Sequence, residues 1–227
     1  MRPVDLRAAA ALAGPIDAPP GGFPASPHES PDPVAVVQIL RVNKVPLMDL
    51  EPPDPERCPQ LAPISRSTIW GESVSLERAE RDALAAEFSE VSERLHAHGI
   101  TPVLFKSAGG IPYRSSNVDL LVRPAEMSGA ARLLEESGHL RFPHYREDHK
   151  LLFRRFRGGR SVICVHLHDA VSWGRVLILP GEEVFGRSRI PRGGGEGNGF
   201  SVASPADLVI ITLAHARYET DQIRLSD

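Results

Sequence analysis

The sequence predicts an α/β (α+β) fold, a small mixed sheet covered by helices. Three observations point there. Apolar runs of strand length alternate with longer stretches of helical period; two of those runs are split by Gly158 and Gly159 as in a hairpin; and prolines crowd one end of the chain, leaving the remainder free to form regular structure.

Fourteen of the 21 prolines fall in the first 63 of the 227 residues, a density that blocks helix and sheet alike. Residues 1–72 are therefore expected to form a Pro-rich, largely disordered or extended arm, and residues 73–227 the folded domain. Within the arm, Val34 to Val45 is apolar enough for one short helix or strand docked on the body. Ser73 or Ser75 is expected to cap a helix reaching His98, with Leu84, Phe88, Val91 and Leu95 at helical spacing and Gly99 as the stop.

Thr101 to Phe105 (TPVLF) reads as a buried strand, and Val118 to Val122 (VDLLV) as a second after a Gly/Pro-containing loop. Pro124 opens a helix with Met127, Ala130, Ala131 and Leu134 on one face, ended by Gly138. Lys150–Phe156 and Val162–His168 form the hairpin, and Arg175–Leu179 an edge strand. Ser204 caps a last helix with Pro205 at its first position and Asp207 in its first turn.

The charge balance, 26 basic against 29 acidic residues or 26 − 29 = −3, argues against a bulk polyanion binder, and no DNA partner is expected. No apolar run reaches the roughly 18 residues of a membrane span. The N-terminal MRPVDLRAAAALAGP has only a short, Ala-rich apolar run, too weak for a secretory leader. Cys58 and Cys164 make neither a disulfide framework nor a metal spacing, and a reducing, cytoplasmic setting is expected.

The chemistry concentrates in VLFKSAGGIPYRSSNVDLLVRP, Val103 to Pro124. Asn117 and Asp119 are two apart in a strand, so they share a face and can hold a divalent cation beside a triphosphate. The same residues by themselves also suit a turn entering a strand. The basic run Arg154 to Arg160 reads as a charged hairpin that discourages edge pairing. His139, His144 and His149 read as solvated loop residues, and Gly193 to Gly199 as a loop. No Gly-x-Ser-x-Gly elbow or zinc module is present.

With those residues in place, the chain resembles the uncharacterised nucleotidyltransferase branch of the DNA polymerase β-like superfamily, over about Leu76 to Tyr218. Lys106, Arg114, Ser116, Asp119, Leu121, Val122, Gly138 and His168 match the family pattern. The resemblance implies a polymerase β-like fold and transfer of a nucleotidyl group from an NTP to an acceptor, a small molecule, protein or RNA. In that chemistry two Mg²⁺ ions held by three carboxylates neutralise the triphosphate and promote in-line attack at the α-phosphate. By the same resemblance Asp119, Asn117, His166 and His168 fall at metal or catalytic positions, with Lys106, Ser107, Arg114 and Ser116 near the nucleotide and Mg²⁺ or Mn²⁺ as the ion.

The departures bear on activity. Ser107 replaces a Gly, Asn117 the first acid, and His166 the third acid, so only Asp119 remains of three carboxylates. Losing one unit charge about 4 Å from another is worth roughly 4 kcal/mol at an effective dielectric of 20. Three readings follow: an inactive fold kept for nucleotide or protein binding, a softer ion such as Mn²⁺ or Zn²⁺ held by Asp119, His166 and His168, or a displaced acid such as Asp169, which strand alternation points away from the two histidines. Family members often continue into a further helical region, so a chain truncated after Asp227 is also an expectation.

Overall fold

The computed structural model of the chain describes residues 30–42, 61–106, 117–143, 147–157, 160–191 and 199–215, with isolated positions 8, 9, 45, 47, 50, 56, 217 and 218. The chain divides within a long helix into two compact units, the first built mainly from residues up to Arg81 and the second from Asp82 onward.

In the first unit, helix α1 (Pro33–Val42) starts with a proline that needs no donor, and the Asp32 carboxylate accepts the Val34 N–H at 3.0 Å. Val36, Val37 and Leu40 lie on its buried face and pack with Leu47, Leu61, Ile64 of α2 (Ala62–Ser65) and Trp70. Helix α3 (Thr68–His96) begins several residues before Ser73 and Ser75, because Ser67 Oγ accepts the Ile69 N–H at 3.2 Å and supplies the cap earlier. Glu77 on this helix accepts the Leu47 N–H at 2.8 Å.

In the second unit, α3 closes with Gly99 at φ 79° and the Ile100 N–H reaching back to Leu95 O at 3.0 Å. Strand β1 (Val103–Leu104) is shorter than TPVLF suggests, and β2 (Asn117–Leu121) follows. One turn of 3-10 helix at Pro124–Glu126 leads into α4 (Met127–Glu136), which ends as α3 does, with Gly138 at φ 87° and the His139 N–H on Leu134 O at 3.1 Å. Then come β3 (Leu140–Phe142), β4 (Lys150–Arg157), β5 (Arg160–His168), β6 (Val171–Trp173), β7 (Val176–Leu179), α5 (Gly181–Arg187), β8 (Ser201–Val202) and α6 (Pro205–His215).

The main sheet is mixed, in the order β3-β4-β5-β2-β1-β8. The expected hairpin is β4–β5, antiparallel, while β2 runs parallel to β5 and antiparallel to β1. Arg175–Leu179 does not add an edge to this sheet. Val176–Leu179 pairs instead with β6 as a separate two-stranded ribbon, because Gly174 at φ 59° permits a two-residue turn. The sheet is covered on both faces: Val118, Leu120, Val122, Phe153, Val165 and Leu167 pack under α3 and α4, and Phe105 and Leu121 pack under β6, β7, α5 and α6.

Two loop and hairpin expectations change. The β3 strand pairs with Leu152–Arg154 of β4, so Arg154 lies inside the sheet and does not guard an edge. At a register shift between Arg154 and Phe156, Arg155 meets α3: its guanidinium bonds Glu90 and lies 2.5 Å from Glu87 Oε2. His139 is buried and not solvated, because its Nε2 donates to Glu87 Oε1 at 2.7 Å while Nδ1 lies 3.1 Å from Leu134 O.

Gly181 is a steric requirement. A Cβ there would stand 2.1 Å from the Asp169 carbonyl oxygen, a backbone atom just past His168 that cannot rotate aside. Gly181→Ala is expected to cost about 2–3 kcal/mol in urea unfolding. A loss within experimental error of zero would show that the two segments do not approach so closely.

Candidate functional site

The site lies where β2 and β5 run side by side. Their parallel register sets Asp119 opposite His166, Asn117 opposite Cys164 and Leu121 opposite His168. Directly paired residues project to the same face, and residues two apart on one strand do so too, so Asn117, Asp119, His166 and His168 share a face.

One oxygen is the focus. Asp119 Oδ1 lies 3.0 Å from His166 Nδ1, 3.1 Å from His168 Nε2 and 3.5 Å from Lys106 Nζ. Its other oxygen accepts from the Asn117 amide N–H, whose nitrogen also lies 3.2 Å from His166 Nδ1. Asp119 and His168 are buried, whereas His166 retains 17 % of its side-chain exposure and is the group's side toward solvent. The Phe105 and His168 rings meet nearly at right angles, 4.9 Å between centroids, and Trp173 on β6 carries the Lys106 ammonium over its face at 4.9 Å.

The electrostatics follow from burial and from these partners. Burial opposes ionisation of Asp119, but Lys106 and the two imidazoles outweigh it and hold the carboxyl well below the usual carboxylate range. Burial lowers the His168 pKa to about 3 despite the hydrogen bond it donates to Asp119, so this imidazole is neutral near pH 7.

Asp119, His166 and His168 could hold a metal ion: one ligand atom from each lies within 4.8 Å of the others. The donor set is one carboxylate oxygen and two imidazole nitrogens, with a cationic ammonium beside it. That fits a borderline transition ion better than Mg²⁺, which takes about six oxygens.

Of the residues singled out in the sequence, Lys106, Asn117, Asp119, His166 and His168 are brought together. Ser107, Arg114 and Ser116 lie outside the described residues. Asp169 belongs to a different pair, its Oδ1 2.7 Å from His149 Nδ1, and is not in the metal-capable group. The sequence reading missed Trp173. Its signal was absent, since Val171–Trp173 reaches the site only through a ribbon that no periodicity announced.

Comparison with protein-family models, with curated proteins and with solved structures finds no match to this chain. No helix among the described residues is long and apolar enough to cross a membrane.

Proposed function

We propose that the chain is a nucleotidyltransferase-like protein whose Asp119 site binds a nucleoside triphosphate together with one divalent ion, and that it works as a nucleotide-binding module and not as an efficient transferase. The observation that supports this most is the parallel pairing of Asp119 with His166. It gathers the two-apart pair of β2 and the His-x-His of β5 around one carboxylate, and by the resemblance Asn117, Asp119 and His166 correspond to the family's three acids and His168 to its histidine.

Charge supports the binding role over the catalytic one. Transfer through a two-metal clamp needs several carboxylates around the ions. Here Asn117 and His168 are neutral, and Lys106 stands 3.5 Å from the only carboxylate of the group. Such a cluster can attract phosphate oxygens through Lys106 but lacks the charge to hold two Mg²⁺ ions.

Thermal shift with each of the four NTPs, in Mg²⁺, Mn²⁺ and Zn²⁺ separately, tests the reading. Metal-dependent stabilisation is expected, about 2.7 kcal/mol at a ligand concentration 100 times Kd, and it should weaken in His166→Ala. Pyrophosphate release should stay at background in the native chain and rise in Asn117→Asp with His166→Asp, which restores the acids. Absence of any NTP effect with every ion sinks the proposal. Metal-dependent pyrophosphate release by the native chain would make it a transferase instead.

A further inference from the structure

We infer that Asp119, His166 and His168 form a site for a borderline divalent ion of the Zn²⁺ class, with Mn²⁺ as a weaker occupant and Mg²⁺ excluded, and that Lys106 is the resident cation this ion displaces. The inference rests on the triphosphate reading in one respect only, the destination of the displaced ammonium.

Two of the three separations suit such an ion, and all three ligand atoms lie within 4.8 Å of one another. Ligands at about 2.0–2.1 Å in a tetrahedral site stand about 3.3 Å apart, and the two imidazole nitrogens lie 3.0 and 3.1 Å from Asp119 Oδ1. Nitrogen donors then decide the class: imidazole binds Zn²⁺ well and follows Mn²⁺ < Zn²⁺, whereas Mg²⁺ prefers oxygen.

Hydrogen bonding gives a second, independent argument. His166 Nδ1 faces both an acceptor, Asp119 Oδ1 at 3.0 Å, and a donor, the Asn117 amide nitrogen at 3.2 Å. One ring nitrogen donates or accepts, and cannot satisfy both neighbours. A cation at the focus of the three ligand atoms removes the conflict, because each then turns a lone pair to it while Asn117 keeps its bond to Asp119 Oδ2.

Lys106 marks where that cation goes. Its ammonium approaches the same Oδ1 as both histidines and rests over Trp173, on a flexible four-carbon stem. The side chain keeps 15 % of its exposure, so it has a path outward. An arriving ion takes over the neutralisation of Asp119, and the freed ammonium is available to a phosphate oxygen. Metal and triphosphate would then bind cooperatively.

The test uses the full chain, stripped with chelator and titrated calorimetrically with Zn²⁺, Mn²⁺ or Mg²⁺ alone. Binding is expected in the order Zn²⁺ over Mn²⁺, with no Mg²⁺ heat. Lys106→Met should tighten Zn²⁺ by about tenfold or more, since a competing unit charge is gone. The His166→Ala change, at the least buried member of the group, should weaken it by a similar factor and controls for adventitious surface sites. In a Trp70→Phe background, Zn²⁺ should change Trp173 fluorescence as the ammonium leaves the ring, and Lys106→Met should abolish that change. Mg²⁺ binding as tight as Zn²⁺, a Zn²⁺ affinity unmoved by Lys106→Met, or one unmoved by His166→Ala would each overturn the inference. Zn²⁺ binding without any NTP effect leaves it standing and removes the triphosphate reading; NTP stabilisation in Mg²⁺ without a Zn²⁺ site does the reverse.

Discussion

Lowering the pH from 7 to 3 is expected to cost the folded protein up to about 5 kcal/mol through His168 alone. The unfolded imidazole takes up a proton near its ordinary value of 6.5, while burial holds the folded one to about 3, and each unit of difference is about 1.4 kcal/mol. The sign is that of a depressed pKa: stability is greatest above pH 6.5 and falls as the pH drops toward 3, because the unfolded chain binds the extra proton. Asp119 adds to the loss only lower, below its ordinary 3.8, as its carboxylate is finally protonated. Lys106 and Lys150 sharpen the penalty by opposing a charge on His168. Urea unfolding at intervals from pH 7 to 4 measures the slope. His168→Gln should flatten it between pH 6.5 and 4.5; an unchanged slope would mean that His168 protonates freely in the folded state.

Arg155→Met is expected to destabilise the protein by about 3–5 kcal/mol, the range for removing one partner of a buried ion pair. Glu87 has 2 % of its side-chain surface exposed and would be left with His139 as its sole partner among those described here. Burial raises the Glu87 pKa, but His139 and Arg155 outweigh it, so the carboxyl sits below its ordinary 4.5. Its contribution is therefore present above pH 4.5 and lost as the pH falls through the folded value, a lower window than that of His168. Adding Glu87→Gln to Arg155→Met should recover much of the loss, because the uncompensated charge goes with it. A single-variant loss under about 1 kcal/mol would show that Glu87 reaches water.

Much of the site was legible because strand alternation is a rigid rule. Asn117 with Asp119, and His166 with His168, had to share faces once their segments were strands. Alternation likewise turned Asp169 away, and it bonds His149. The parallel pairing that brings the two faces together was not legible, since 47 residues separate Asp119 from His166 and local pattern carries no partner information. Lys106 illustrates the same limit. The resemblance put it near the nucleotide, whereas its ammonium lies 3.5 Å from Asp119 Oδ1 and over the Trp173 ring on a ribbon distant in sequence.

The helices were legible where capping is local. Gly99 and Gly138 stop α3 and α4 as expected, and Pro205 opens α6. The start of α3 was misplaced because three serines compete as caps and Ser67 wins, with Trp70 buried in the turn that follows. Arg155 and His139 were misread for another reason. Composition marks such residues as solvated, and only a distant carboxylate such as Glu87 on α3 makes their burial tolerable.

The register of β2 against β5 also has a kinetic meaning. The β4–β5 hairpin joins neighbours in sequence, whereas Asp119 meets His166 only after a long loop has closed, an entropic cost that precedes any reward. The ligand cluster is thus absent from every partly folded state in which only local hairpins and helices exist. Amide exchange of Asp119, Leu120 and Leu121 should accordingly follow global unfolding, and loss of the cluster should coincide with loss of the whole second unit.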